Sequence, residues 1–81
     1  MMVLVKCIKE TYTWEGDGKQ HKFSKVKLGH EYAFSEICGT YWLDVFASPN
    51  RKDFEDKDGF IQGCKRGLES KYFKEMFAKV D

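Results

Sequence analysis

Three stretches of alternating apolar and polar residues, Val3 to Ile8, Glu31 to Ile37 and Tyr41 to Ala47, precede one segment, Leu68 to Val80, with apolar residues at helical spacing. Period two sends successive side chains to opposite faces of a strand, and a period near 3.6 gathers them along one side of a helix. That order predicts a small curled sheet closed by a terminal helix. With 81 residues there is room for one core, so residues 1–81 read as a single domain. Seven Phe, four Tyr and two Trp supply the large side chains that a short chain needs to fill it.

In the terminal segment Leu68, Tyr72, Phe73, Met76, Phe77 and Val80 fall on one helix face, and Lys71, Lys74, Glu75 and Lys79 on the other. Ser70 is the expected cap, and Glu75 the expected partner of Lys79 one turn on. Upstream, Asp17-Gly18 marks a loop or hairpin tip within Thr11 to Lys19, with Tyr12 and Trp14 on its approach. Gln20 to Leu28 alternates again, with Phe23, Val26 and Leu28 against Lys25 and Lys27, and predicts an extended segment that turns at Gly29. Cys38-Gly39-Thr40 is a short connection into the strand Thr40 to Ala47. Ser48 to Gly59 holds the single proline and a mixed charge run, and reads as a mobile surface loop. Phe60 to Cys64 is expected as a last strand, broken by Lys65-Arg66-Gly67.

The formal charge is +1, from 14 bases and 13 acids, so no global field draws the chain to nucleic acid or anionic lipid. Residues 28–50 carry three acids and no Lys or Arg, making an acidic, aromatic middle between basic flanks. No window approaches the roughly 18 apolar residues of a membrane span, and the amino end has no basic region leading into a long apolar run. Cys7, Cys38 and Cys64 are odd in number and far apart, as expected of reduced thiols in a cytoplasm.

No catalytic signature accompanies this pattern. The three cysteines, His21 and His30 lack the close pairing of metal-ligand clusters, so neither a metal nor a cofactor is expected. Asp56, Asp58 and Gly59 resemble part of a calcium loop, yet aligning Gly59 with its sixth position puts Phe54 first and Lys65 twelfth, where carboxylates are needed. No glycine-rich phosphate loop occurs, and the chain reads as a non-enzyme.

A surface is the better functional candidate. If Tyr41, Leu43 and Val45 face the core, then Trp42, Asp44 and Phe46 face the other way, two large rings bracketing a carboxylate. The competing and favoured arrangement puts Trp42 and Phe46 beneath the terminal helix, because that helix needs an apolar floor. Tyr12 and Trp14, beside the glycine turn, are further partner-binding candidates. A second surface, Lys19, Lys22, Lys25 and Lys27 with Phe23 as a stacking platform, would suit nucleic acid, although alternating lysines more often protect a strand edge.

Val5-Lys6-Cys7, Leu28-Gly29-His30-Glu31-Tyr32 and the run from Ser70 to Phe77 give the chain a resemblance to small bacteriophage-encoded accessory proteins. That resemblance implies an SH3-like, five-stranded, partly open antiparallel barrel without catalytic residues. The compact aromatic domain without chemistry, its acidic aromatic middle and its thiol pattern lead to the expectation of a phage accessory protein that binds a host protein in the host cytoplasm and blocks or redirects it. A nucleic-acid-binding module is the alternative, and a structural or oligomeric component the third reading.

Overall fold

A computed structural model describes residues 1–23, 25–61 and 67–80. Among the described residues seven strands run in the order β1 (Met2–Cys7), β2 (Thr11–Trp14), β3 (Lys19–Lys22), β4 (Glu31–Ile37), β5 (Thr40–Asp44), β6 (Gly67–Glu69) and β7 (Phe77–Lys79). A 3₁₀ turn (Arg51–Phe54) precedes β6, and helix α1 (Ser70–Met76) joins β6 to β7. The main sheet has the order β6-β5-β4-β1-β7, antiparallel throughout. β2 and β3 form a separate hairpin. The result is the expected mainly β domain, a curled five-stranded half-barrel with one carboxy-terminal helix packed on it. No helix among the described residues is long and apolar enough to cross a membrane.

Period two fixes which residues fill the core. Val5 and Cys7 of β1, Tyr32 and Phe34 of β4 and Leu43 of β5 point inward and are buried. Between β4 and β5 the chain reverses through two residues, Cys38 (φ 52°) and Gly39 (φ 82°), with Ile37 directly opposite Thr40. Positive φ at both central positions matches the strand twist, which makes this short connection a tight hairpin turn.

The terminal helix is shorter than its pattern predicts. Only Ser70–Met76 is helical, Leu68 belongs to β6, and Phe77 is extended at φ −131° and ψ 143°. Pairing decides this outcome, since β5 and β1 would otherwise present bare edges that Gly67–Glu69 and Phe77–Lys79 fill. Glu69 takes the cap position without a side-chain bond, and Glu75 pairs with Lys9 at 3.1 Å rather than with Lys79. Tyr72, Phe73 and Met76 still point inward, with Phe73 5.0 Å from Phe34 and stacked on Tyr41 at 3.8 Å between ring centroids.

Other boundaries move for local reasons. The strand from Lys19 stops at Lys22, because Phe23 and Val26, three residues apart, both enter the core and break the alternation. Leu28 is therefore exposed. β5 stops at Asp44, where the Ser48 hydroxyl donates to the Asp44 carbonyl at 2.6 Å and accepts from the Ala33 amide at 2.9 Å. Instead of a free surface loop, residues 48–59 contain the buried Ser48 and Phe54. Of the strand expected at Phe60 to Cys64, Phe60 is exposed and Ile61 makes a single bridge to Glu55, while residues 62–64 lie outside the described residues. Gly67, read as a breaker, opens β6; Lys65 and Arg66 lie outside the described residues.

Candidate functional site

The helix takes the face of the sheet opposite to the favoured expectation. Phe73 stacks on Tyr41, so the inward row of β5 forms the helix floor and Trp42 is left uncovered, at 41% exposure; Phe46, expected on the same face of a longer strand, lies past the end of β5 at Asp44 and is 67% exposed. Cross-strand partners share a face. Trp42 therefore stands in one outer row with Ser35 and Met2, and Asp44 in the next with Ala33 and Leu4. Val80 extends the second row, its backbone amide donating a hydrogen bond to the Leu4 carbonyl at 3.1 Å. Met2, Leu4 and Val80 are exposed, and sequence reasoning did not connect them to Trp42 because strand order was unknown.

Trp42 is held in place by a glycine. A Cβ built on Gly67 would lie 3.0–3.1 Å from the Trp42 ring, so the ring lies flat against β6 because nothing projects there. Gly67→Ala is expected to tilt the indole away from β6, since its Cβ would sit closer to the ring than an ordinary contact; a shift in tryptophan emission checks it. Asp44 is positioned too, one carboxylate oxygen accepting the Ala47 amide at 3.2 Å.

Tyr12 and Trp14 lie on β2 itself rather than on a loop approach. Opposite them on β3 stand His21 and Lys19. Tyr12 stacks with His21 at 5.8 Å and contacts Tyr72 of α1 at 5.2 Å, while Trp14 meets His21 edge-on. The hairpin is fastened to α1 by Glu75, which accepts from the Thr13 amide at 3.1 Å and from Lys9. The Lys9 ammonium beside Glu75 is the main reason its carboxyl is held below the ordinary range. Tyr12 is thus partly spent on packing, whereas Trp14 remains open to solvent.

The lysine strip does not survive as a stacking surface. Phe23 is fully buried, at 0% exposure, against Phe34 and Phe77, and offers no platform for a base. Lys22, Lys25 and Lys27 line a cleft of about 380 Å³, but Glu10 and Asp53 line it as well and offset its charge. Lys19 stands apart, beside Trp14 on the hairpin.

Asp53 is the polar residue that sequence reasoning missed. Its side chain, 8% exposed, accepts from the Tyr32 hydroxyl at 2.5 Å and meets His30 Nδ1 at 2.7 Å and Lys27 Nζ at 3.7 Å. The Tyr32 oxygen in turn accepts the Lys27 amide at 2.8 Å. Desolvation pushes the Asp53 carboxyl up, but the hydrogen bonds from Tyr32 and His30, with the charges of His30 and Lys27, outweigh it and hold it below its ordinary value. Burial, followed by the Asp53 hydrogen bond, pushes the Tyr32 phenol well above its usual range. The network pins the 3₁₀ turn and the segment before β4 to the sheet. Among the described residues no buried side-chain polar atom lacks a partner, which suits a fastening more than a reacting group.

Among the described residues no three of His, Cys, Asp and Glu converge as metal ligands. Cys7 is buried, its thiol pushed up chiefly by desolvation, and Cys38 is exposed at the β4–β5 turn. Comparison with protein-family models, with curated proteins and with solved structures gave no match.

Proposed function

We propose that this chain is a non-enzymatic protein-binding module, a phage accessory protein with an SH3-like barrel that engages a host protein in the host cytoplasm and inhibits or redirects it. One observation carries the reading: Trp42 stays exposed beside Asp44 on the face that α1 leaves uncovered, and Phe46, in the turn just past β5, is exposed as well. An 81-residue chain with rings enough to fill its core leaves Trp42 and Phe46, like Trp14 and Phe60, in water, where exposed rings weaken solubility unless a partner covers them. Aromatic anchors of this kind carry most of the energy in protein interfaces.

Affinity capture from bacterial lysate tests it. The wild-type chain is expected to retain a discrete protein that Trp42→Ala and Phe46→Ala each release, with folding of both variants checked by circular dichroism. Retention of the same proteins by wild type and variants, or of none, rejects the proposal.

A further inference from the structure

Resting on the protein-binding reading, the chemistry of the uncovered face narrows the partner. We infer that the partner presents an arginine side chain, stacked on the solvent face of Trp42 and paired with Asp44, with apolar neighbours seated toward Met2 and Leu4. The indole is held on one side by the bare backbone of Gly67 and is open on the other. A ring fixed in this way loses little freedom on binding. Indole faces attract cations, guanidinium above all, because it is planar and weakly hydrated.

Asp44 supplies the second half of the recognition. It follows Trp42 by two residues on β5, so both side chains leave the same face about 7 Å apart. A guanidinium lying on the ring can reach the carboxylate. One Asp44 oxygen is occupied by the Ala47 amide, which orients the group, and the other is unengaged among the described residues. Lys6, the cation on the outer face of β1, stands opposite Glu31 and leaves Asp44 uncompensated. β4 and β5 bring no Lys or Arg to this half of the face.

The surroundings suit an extended segment around that arginine. β4 places only Ala33 and Ser35 between Asp44 and Trp42 on one side and Leu4 and Met2 on the other. Ser35 is part-exposed between Trp42 and Met2, whereas Ala33 is buried, so the open ground for such a segment runs along Trp42, Ser35 and Met2. A second copy of the chain fits less well, because two-fold pairing of this face would set one Asp44 against the other with no cation between them.

The test uses the whole protein with Trp14→Phe, so that tryptophan emission reports Trp42 alone. It is titrated with a short synthetic peptide bearing one arginine between leucines, and with the same peptide in which citrulline replaces arginine. The arginine peptide is expected to quench Trp42 and shift the amides of Leu4, Ser35 and Trp42 in an ¹⁵N spectrum. Removing the charge on either side, by citrulline or by Asp44→Asn, which keeps the bond to Ala47, is expected to weaken binding about tenfold. Equal binding of the two peptides, shifts on the α1 side of the sheet, or no binding at millimolar peptide overturns the inference. Light scattering is expected to show a monomer; a dimer dissociated by Trp42→Ala also overturns it. If lysate capture depends on Trp42 while the peptides are not distinguished, the binding reading stands and the arginine assignment fails; loss of both removes the two together.

Discussion

Phe34→Ala is expected to lower the unfolding free energy by about 3–5 kcal/mol, enough to leave much of the protein unfolded at 37 °C. Phe34 is fully buried in the middle of the sheet, and its ring meets Phe23, Phe73 and Phe77, at centroid distances of 6.3, 5.0 and 4.8 Å. These three come from the segment after β3, from α1 and from β7, so one side chain holds together parts of the fold that are distant in sequence. Truncation leaves a cavity walled by rings that cannot close around it. A domain of this size has a total stability near the low end of about 5–15 kcal/mol. Urea titration followed by circular dichroism should give a midpoint near zero denaturant, while Trp42→Ala, on the outer face, should stay close to wild type.

Asp53→Ala is expected to cost about 2–4 kcal/mol, since it leaves the buried Tyr32 hydroxyl without its acceptor and removes the counter-charge of His30 and Lys27. Tyr32→Phe removes only one bond of the network and should cost about 1 kcal/mol. The pH dependence follows from the direction of the Asp53 shift. Its folded carboxyl titrates below the ordinary value of 3.8, so the unfolded chain binds the proton first as pH falls. The contribution is complete above that value and is lost as pH drops through the lower folded one. The gap between wild type and Asp53→Asn should therefore shrink as pH falls below about 4, as read from urea midpoints across that range.

Asp53 shows why part of this molecule was hidden in its sequence. An aspartate within Arg51-Lys52-Asp53 reads as a solvated charge, and only the three-dimensional approach of Tyr32 and His30 turns it into a buried acceptor. Where side chains alternate around a single ladder, as at Val5 and Cys7 or Tyr32 and Phe34, periodicity alone placed the core correctly. It failed where two periods fit the same residues. Leu68 and Phe77 suit a long helix face, but each also suits a strand end, and the unfilled edges of β5 and β1 decided between them. Phe23 and Val26 gave the opposite error, an apparent alternation that long-range packing broke.

The candidate site was half legible for a related reason. Parity along β5 put Trp42 and Asp44 on one face whatever the fold. It could not say which face α1 would cover, because that depends on how the chain crosses the sheet. Tyr41 settled the matter by stacking on Phe73. Met2, Leu4 and Val80 joined the surface only once β1 was known to lie beside β4, and β7 beside β1.

The placement of β7 also bears on how the chain reaches this structure during synthesis. β1 is made long before β7, and one of its two edges finds its partner only in Phe77–Lys79. Until those residues leave the ribosome, that edge of β1 stays open to any strand it meets, and the Cys7 row lacks its cover. The closing step joins segments some seventy residues apart, the kind of non-local pairing that places folding in the millisecond-to-second range. Emergence of Phe77–Lys79, rather than formation of either hairpin, then sets the moment at which the half-barrel is completed.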